Sequence, residues 1–509
     1  MLKNTFLVTI CLILSSVFGF ASQIVFVQSF GASGEMDIYF SLLSVPMVVT
    51  GISPMIFSSV LIPTFAKFRT ASKELYIFIN STWKIIFIFA ILFTIIGSIF
   101  SIYNIEFFVS ENESHRHNSS IQAALMIWIG SGFSIMSSYL SAILNYNKQF
   151  FKVAWTSLLP ATFMITIVLI FHQELGIRSI TLGFCTAFIL QFIIFFKSTD
   201  ISINFLKFNI YEIKFKNLLI KQTFFVILSL LPFTLLVPIS FFLASDLEPG
   251  SISYLGYSQS FAGFLSVATS MGISIVSFPE LADKLANNKG YYDLIKFEKS
   301  LRYVILIAMF AAGALISLRL PVLSLFYERG SFTKESVFNL SKVVPWYLVA
   351  AVFIGGLNLL RTFFYSKGEF KIIAKLGIIF PIIFYIVATI LKYDYSYVGI
   401  GIAYSLTFGA LFFMTVCFAK KKNTNFLSIK FLRFFIFNSS AVLVSCFTVY
   451  YILTYWHYIA SQSPVIIIIV MSFIYFLEYL LIGKYIFKFV EIDELLLLLF
   501  SKSKYFYRD

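Results

Sequence analysis

The sequence from Asp37 to Phe68 reads DIYFSLLSVPMVVTGISPMIFSSVLIPTFAKF, and it aligns without gaps on Ser253 to Lys284, which reads SYLGYSQSFAGFLSVATSMGISIVSFPELADK. The matched positions are 216 residues apart and include identical methionine, serine, valine, proline and alanine residues. Chance likeness between two apolar helices is the alternative explanation. We interpret the match as an internal repeat, which predicts a chain built from two related halves.

The composition is that of a chain that lies almost wholly in a membrane. Hydrophobic residues make up 59% of it, charged residues 12%, and the mean hydropathy is +0.90. Apolar stretches that are long enough to cross a bilayer as helices recur about fourteen times. The predicted spans are residues 4–30, 37–66, 80–104, 119–144, 151–171, 177–196, 219–244, 251–279, 301–320, 342–365, 371–391, 397–418, 433–456 and 463–486.

The repeat divides these spans into two sets of six, followed by two more. Because six is an even number, both sets enter the membrane from the same side, which predicts a parallel repeat. The predicted fold is an all-α polytopic membrane protein of about fourteen transmembrane helices. Its predicted parts are a six-helix lobe (1–216), a like-oriented six-helix lobe (217–430), and two additional helices with a cytoplasmic tail (431–509).

Lysine and arginine collect in alternate loops, which places those loops and both termini in the cytoplasm. The net charge of +14 is therefore mainly a topology signal. A nucleic-acid partner is not predicted, because that function needs a basic patch on a folded surface; contact with anionic membrane lipids is the better use of the charge. The four cysteines lie in apolar segments, and the histidines show no convincing metal-ligand spacing, so we predict no metal site.

Two like-oriented six-helix lobes are typical of an alternating-access transporter. A channel would show a filter loop or charged rings. A membrane glycosyltransferase or polymerase would show paired carboxylates or a sizeable outer loop, whereas the longest loops here have only about twenty residues. A nucleotide-driven pump would carry a phosphate-binding G-x-x-x-x-G-K-[ST] loop, and the sequence has none.

The segment Leu325 to Thr333, LFYERGSFT, resembles the "LF-x-RG-x-FT" signature of the MurJ/MviN lipid flippases, which belong to a superfamily with the MATE exporters and the polysaccharide flippases. The first-span string SSVFGF at 15–20, the Phe30-Gly31 step and Asp37 are similar in place and order. The resemblance implies a fourteen-span fold in which the last two spans line a groove for a polyprenyl tail. It also implies a central cavity for a diphosphate-sugar head group, and its implied substrate is the peptidoglycan precursor lipid II.

The sequence departs from the family pattern where the head group is expected to bind. The family usually places arginines along its first, second and eighth spans, and the matching positions here are Ser16, Ser22 and Ser260, while Gln23 replaces an expected aspartate. Arginine binds a diphosphate through charge-assisted, often bidentate hydrogen bonds, which serine cannot make. Hydroxyl and amide side chains still make a neutral cavity suited to sugars, although such residues are equally common as helix-packing residues in lipid.

The candidate residues follow from these observations. The substrate-cavity candidates are Asp37, Ser16, Ser22, Gln23, Tyr39, Tyr257, Gln259, Ser260 and Arg361, and the family-signature loop contains Glu328, Arg329, Gly330, Phe332 and Thr333. Asp37 is either a functional membrane-edge acid or an ordinary acid at a helix N-terminus. Arg361 either reaches a phosphate or only extends its charged end to the interface.

We therefore expect a flippase, not an enzyme, that moves an undecaprenyl-diphosphate-linked saccharide outward across the bacterial cytoplasmic (inner) membrane. Lipid II is the first substrate to consider, and an O-antigen, capsule or other surface-polysaccharide intermediate is the alternative. A MATE-like cation or drug antiporter is the second alternative. No cofactor is expected; coupling to the membrane potential or to H⁺ or Na⁺ is expected, and enzymes of cell-wall or polysaccharide synthesis are candidate partners.

Overall fold

The computed structural model describes residues 2–67, 72–103, 114–199, 216–266, 290–366, 370–422, 429–456 and 462–494. Within these ranges the chain is helical, with no β-strand. The helices are α1 (Leu2–Phe30), α2 (Gly34–Lys67), α3 (Ser72–Tyr103), α4 (Ser114–Tyr146), α5 (Phe150–Thr156), α6 (Leu159–Leu175), α7 (Arg178–Lys197), α8 (Lys216–Ala244), α9 (251–266), α10 (Gly290–Ser317), α11 (Arg319–Tyr327), α12 (Lys334–Ser366), α13 (Phe370–Lys422), α14 (Ile429–Tyr455) and α15 (Pro464–Leu481).

Twelve of the described helical segments are long and apolar enough to cross a membrane. One of them, Ile373–Lys420, contains Ser396 with φ of 53°, so it comprises two spans that meet at this residue. Helix α9 begins a further span, and its predicted continuation over 267–279 lies outside the described residues. This agrees with the predicted count of about fourteen spans and confirms the all-helical polytopic fold.

The described chain divides into two compact units. Unit 1 comprises Met1–Tyr257, Arg329–Thr333 and Phe370–Ile400; unit 2 comprises Ser258–Glu328, Lys334–Glu369 and Gly401–Asp509. The division into lobes 1–216 and 217–430 with a C-terminal part 431–509 rests on the repeat and stays a prediction. The tail over 495–509 and the second repeat copy beyond residue 266 lie outside the described residues.

Unit 1 is held together by an aromatic core between α2, α3 and α4. Tyr139 is fully buried, with its ring against Phe57 at 5.8 Å and against Trp83 at 5.8 Å. Its hydroxyl donates to the Ile79 carbonyl at 2.8 Å and lies 2.6 Å from the Thr82 hydroxyl. A buried phenol in lipid must find such partners, because no water is present to replace them.

The described part of unit 2 includes a segment that we call the strap, residues 482–494, which follows α15 and contacts α10 and α14. Phe489 is buried against Phe434, with ring centroids 5.4 Å apart. Glu494 accepts a hydrogen bond from Lys299 at 2.7 Å and another from Tyr303. Burial alone raises the pKa of Glu494, but the hydrogen bonds from Lys299 and Tyr303 outweigh burial and hold the pKa below its usual value.

Candidate functional site

The carboxylate of Asp37 joins the start of α2 to the start of α9. Its Oδ2 accepts the Gly250 N–H at 2.6 Å, and its Oδ1 accepts both the N–H and the hydroxyl of Ser253, at 2.7 and 2.5 Å. All three donors belong to the first residues of α9 or to the residue before it. Asp37 therefore caps the N-terminus of a helix that is more than two hundred residues away in the sequence.

Two features of the sequence place the carboxylate there. Ser33 accepts the Met36 N–H on its side-chain oxygen at 3.4 Å and so starts α2 just before Asp37. Helix α9 begins with unpaired backbone N–H groups and the positive end of its dipole, which favour a nearby anion. Asp37 thus lies in the first turn of α2, where an acid at a helix N-terminus is expected, and its carboxylate also binds the N-terminus of α9. A function in transport stays a prediction.

Tyr257, which lies one helical turn after Ser253 on α9, connects α9 to the turn before α2. Its hydroxyl donates to the Gly31 carbonyl at 2.7 Å, and its ring is fully buried. Phe40 packs edge-on against this ring at 5.4 Å, and Phe332 does the same at 6.0 Å. The predicted cavity residue Tyr257 thus has its hydroxyl bonded within the protein, and Tyr39 is likewise buried, with rings of Phe26 and Phe40 nearby.

The signature loop over 329–333 closes the same site. The Ser331 N–H donates to the Gln28 carbonyl at 3.0 Å, and the Ser331 hydroxyl donates to the Ser29 carbonyl at 3.3 Å. Gly330 has φ of 54°, and a Cβ at this position would lie 2.3 Å from the Gln28 carbonyl oxygen. Glycine is needed because both the left-handed backbone and the close approach exclude a side chain.

We call residues 28–37, 250–257 and 329–333 together the Asp37 junction; all of them belong to unit 1. The predicted topology puts the α1–α2 turn, the turn before α9 and the signature loop on one side of the membrane, namely the outer side. That these three segments meet agrees with their placement on a common side. The junction is closed by these hydrogen bonds and by the packing of the buried Tyr257 ring against Phe40 and Phe332.

Asp37 and Ser253 are also the first pair of residues in the internal repeat, and here they are in direct contact. Sequence reasoning singled out Asp37 but missed Gly250 and Ser253 as its partners. For Ser253 the internal repeat was the only signal in the sequence, because the alignment pairs Ser253 with Asp37. No signal marked Gly250, because a backbone N–H is common to almost every residue type.

The candidates on α1 form a short polar stripe within unit 1. Ser16 donates to the Leu12 carbonyl at 3.1 Å, and Ser22 donates to the Gly19 carbonyl at 2.7 Å, so both hydroxyls are used within their own helix. Gln23 differs, because its Oε1 is buried and has no hydrogen-bond partner in the described structure. A Cβ at Gly19 would meet nothing within 4 Å, so open space adjoins this helix between Ser16 and Gln23.

The remaining cavity candidates belong to unit 2. Gln259 and Ser260 are half-buried on α9, and a Cβ at Gly263, one turn further, would again meet nothing within 4 Å. Arg361 donates to the Asn358 side-chain oxygen one turn earlier on α12. Whether these residues and the α1 stripe contact one substrate stays a prediction.

The rest of the signature loop is turned toward the surface. Arg329 and Thr333 are exposed, whereas Phe332 is buried in the junction. Glu328 in unit 2 forms a long ion pair with Lys334, 3.9 Å apart. Exposed pairs of this kind contribute little, about 0 to 1 kcal/mol. The loop therefore stabilises the Asp37 junction mainly through Gly330, Ser331 and Phe332.

A cavity of about 620 Å³ opens within unit 1 between α2, α3, α8 and the first part of α13. Its lining is mostly apolar, with Val48, Phe100 and Phe242 among the contributors and few polar atoms. This lining suits a hydrocarbon chain better than a charged head group. It is distinct from the polar cavity predicted along α1 and α9.

Two further observations concern charge and metals. Lys84 on α3 is buried inside a predicted span, and sequence reasoning passed over it because it lies near the polar start of that helix. Among the described residues there is no group of three or more His, Cys, Asp or Glu side chains able to hold a metal ion. The pair His115/His117 lies where side chains are not described.

Comparison with solved structures gives the class of protein. An inward-facing multidrug resistance MATE family transporter of the MOP superfamily superposes with a TM-score of 0.59 at 15% identity, covering 80% of this chain and 96% of that chain. A lipid II flippase MurJ in an inward closed conformation superposes with a TM-score of 0.79 at 21% identity, covering 95% and 99% of the two chains. The chain has the fold of these membrane transporters.

The sequence comparisons give the family. The family model described as "Lipid II flippase MurJ" matches residues 26–471, and the chain belongs to this family. A probable lipid II flippase MurJ of Buchnera aphidicola subsp. Baizongia pistaciae is 24% identical over 429 residues, covering 81% of this chain and 82% of the relative. The corresponding protein of Aquifex aeolicus is 24% identical over 382 residues, covering 73% and 74%. The resemblance noted from the signature loop is thus confirmed.

Proposed function

We propose that this protein is a lipid II flippase, which carries the undecaprenyl-diphosphate-linked peptidoglycan precursor from the cytoplasmic to the outer leaflet by alternating access. The observation that carries the proposal is the family match over residues 26–471, which includes the whole of the Asp37 junction. The protein acts as a transporter in the cytoplasmic membrane, with both termini in the cytoplasm.

The Asp37 junction fits one step of alternating access. Three chain segments of the outer side are tied together by hydrogen bonds to Asp37, Gly31 and Gln28. Opening of this end breaks these hydrogen bonds and separates the buried ring of Tyr257 from that of Phe332. We propose that the junction is the closed outer gate of the flippase and that it separates when the head group is released.

Head-group recognition must differ in detail from recognition by arginines. Ser16, Ser22 and Ser260 stand at the positions where the family usually has arginine, so the diphosphate finds fewer fixed positive charges there. The buried Oε1 of Gln23 has no hydrogen-bond partner in the described structure, so it can accept from a sugar hydroxyl or a peptide N–H when the site opens. In this proposal, the chain binds the saccharide and the peptide of the head group through neutral hydrogen-bonding side chains.

The membrane potential supplies the driving force in this proposal. A diphosphate with two negative charges gains about 4 to 5 kcal/mol per 100 mV when it moves outward across an inside-negative membrane. A cavity with few fixed cations helps release, because strong binding of the anion would oppose its departure. Enzymes that synthesise or polymerise the precursor are the partners expected on the two membrane faces.

The test is translocation by the purified protein in vesicles loaded with lipid II. A membrane-impermeant hydrolase that cleaves lipid II is added outside after an inside-negative potential is imposed, and cleavage is followed with time. We expect cleavage to exceed that in protein-free vesicles and in vesicles carrying Asp37→Ala. The same experiment is run with an undecaprenyl-diphosphate-linked O-antigen unit.

Movement of the O-antigen unit without movement of lipid II would replace the proposed substrate by a surface-polysaccharide intermediate. Movement of neither, with a protein that retains its helical content and thermal transition, would contradict the flippase proposal. In that case uptake of cationic drugs against a proton gradient would test the MATE-like alternative.

A further inference from the structure

The last two spans, α14 and α15, carry polar side chains that bond to one another or to the backbone of α10. We call this set the polar seam; it consists of Asn438, Cys446, Thr448, Tyr475, Glu478 and Tyr479. Its surroundings are apolar, and neighbouring residues such as Phe447 and Phe473 are exposed where a membrane-spanning helix meets lipid. Polar groups at this depth need protein partners, because lipid offers none.

Most members of the seam have such partners. The Tyr475 hydroxyl donates to the Phe310 carbonyl at 3.1 Å, and the Cys446 thiol lies 3.3 Å from the Gly313 carbonyl. The Tyr479 hydroxyl donates to the Asn438 side-chain oxygen at 2.6 Å. These bonds satisfy the donors that face α10 and fix α14 and α15 against it.

Glu478 is the exception. Its Oε1 accepts the Thr448 hydroxyl at 2.8 Å, whereas its Oε2 is buried and has no hydrogen-bond partner in the part of the chain that the structure describes. The nearest lysine along the helix, Lys484, lies 3.8 Å from Asp493 in the strap. Burial of a full negative charge in an apolar environment costs far more free energy than burial of a neutral group, and a single hydrogen bond offsets little of that cost.

Among the residues that the structure describes, the groups next to Glu478 are neutral donors and acceptors. From α14 the titratable neighbour is the Cys446 thiol, and on α15 itself the neighbours are the phenols Tyr475 and Tyr479. Helix α10 faces the seam with the Phe310 and Gly313 carbonyls. Carbonyl oxygens, phenols and thiols at neutral pH do not balance a carboxylate.

On α11, which also packs against α15, the two titratable side chains have contacts elsewhere. Arg319 donates to the Ile316 carbonyl at 3.0 Å, and the Tyr327 ring packs against Phe261 at 6.4 Å. In the part of the chain that the structure describes, these contacts on α10, α11, α14 and α15 therefore place no cation against the buried Oε2 of Glu478.

We propose that Glu478 is a proton-binding site within the membrane, which takes up a proton on Oε2 and releases it to water when α14 and α15 separate. Binding converts the carboxylate and one proton into a neutral acid, with the Thr448 hydroxyl still donating to Oε1. Loss of the proton leaves a charge that must be hydrated, and hydration requires the seam to open. The inference goes beyond the proposed function and holds for any transported substrate.

The test uses the full-length protein in lipid nanodiscs and N,N′-dicyclohexylcarbodiimide, an apolar reagent that enters lipid. It takes the proton of a neutral carboxyl, and the carboxyl oxygen then adds to its central carbon; rearrangement leaves a stable acylurea that mass spectrometry locates. The matched control is Glu174, which is exposed at the end of α6. A charged, water-soluble carbodiimide is applied in parallel.

At neutral pH we expect the apolar reagent to label Glu478 at least about tenfold faster than Glu174, because Oε2 of Glu478 is buried among apolar groups whereas Glu174 is exposed. The water-soluble reagent should show the opposite order. Labelling of Glu478 should fall as the pH is raised, and Thr448→Val should let it persist to higher pH, since that change removes the bond that favours the carboxylate. Glu478→Gln identifies the labelled peptide.

Two results would overturn the proposal: labelling of Glu478 by the water-soluble reagent as fast as that of Glu174, or no labelling of Glu478 by the apolar reagent. A second measurement does not depend on reagent access. Hydrogen–deuterium exchange of α15 amides, corrected for intrinsic rates, should rise with pH in the unmodified protein and stay level in Glu478→Gln. Equal exchange in the two proteins at every pH would refute the coupling of proton release to opening of the seam.

Discussion

Replacing Asp37 by asparagine tests whether the Asp37 junction holds its three segments together. Asparagine keeps the size and one oxygen of the side chain, but it replaces the other oxygen by an NH₂ group that cannot accept the N–H of Gly250 or Ser253. The carboxylate now accepts three hydrogen bonds of 2.5 to 2.7 Å. The substitution removes the charge and at least one of these bonds.

The magnitude follows from typical values for hydrogen bonds to charged groups. Such bonds contribute about 1.5 to 3 kcal/mol each, and a buried donor left unpaired costs about 1 to 3 kcal/mol. Because Asp37 is only partly buried and one oxygen remains, we expect a loss of about 2 to 4 kcal/mol from the closed junction. This corresponds to an increase of about 30- to 1,000-fold in the ratio of open to closed junctions.

The assay follows a cysteine placed under the junction. Val27 is fully buried on α1, and only its backbone carbonyl takes part in the turn, as acceptor of the Gly31 N–H at 2.9 Å. In intact cells, a membrane-impermeant maleimide should label Val27→Cys slowly in the parent and much faster with Asp37→Asn. The matched control is Asp246→Asn, which removes a 67% exposed carboxylate paired with Lys392 at 2.7 Å.

We expect the control to label at the parent rate, because exposed ion pairs contribute little. Equal labelling rates for the parent and Asp37→Asn, in proteins with equal thermal transitions, would refute the assignment of the junction as a closure. Faster labelling in the Asp246 control would mean instead that any loss of charge at this end loosens the turn.

Three further predictions concern single contacts. Gly330→Ala should destabilise the folded protein by about 2 kcal/mol or more, because it combines a strained φ with a clash, and this should lower the thermal transition temperature in detergent. Gly263→Ala, where the added Cβ meets open space, should leave that temperature unchanged. Tyr257→Phe keeps the ring but leaves a carbonyl unpaired, so it should cost about 1 kcal/mol in the same measurement, and no change would mean that the hydroxyl bond is not formed. The pKa of Glu494 is lower in the folded protein than in the unfolded chain, so its bond to Lys299 stabilises the strap above the unfolded pKa and is lost as the pH falls through the folded value. Proteolysis of the strap should therefore speed up on acidification, and Glu494→Gln should remove this pH dependence.

Much of the fold follows from hydropathy, because each span must be a continuous apolar helix. The break at Ser396 falls between the predicted spans 371–391 and 397–418, since a polar segment there cannot remain in lipid. The contacts between helices did not follow in the same way. Tyr257 and Gln23 looked equivalent as cavity residues, yet one bonds a backbone carbonyl and the other has an unpaired oxygen.

Tyr257 has a hydrogen-bond partner because its hydroxyl reaches a turn between two spans, whereas Gln23 lies within a span. Gly31 and Gly330 take left-handed conformations; the Gly31 carbonyl accepts from Tyr257, and Ser331, next to Gly330, donates to the Gln28 carbonyl. Sequence shows that a glycine is present, but it does not show where the bent backbone points. Hydrogen bonds to backbone groups are thus the part of the site that pattern reasoning could not reach.

The contact between Asp37 and Ser253 explains why the repeat differs at its first position. Residues that occupy matching places in the two copies face each other here, so they need complementary chemistry instead of identity. Two aspartates would put like charges within hydrogen-bond distance, and two serines would leave the N-terminus of α9 without an anion. One carboxylate opposite one hydroxyl supplies acceptors and donors in matching number. At this position of the repeat, complementary residues therefore allow a direct contact that two identical residues could not make.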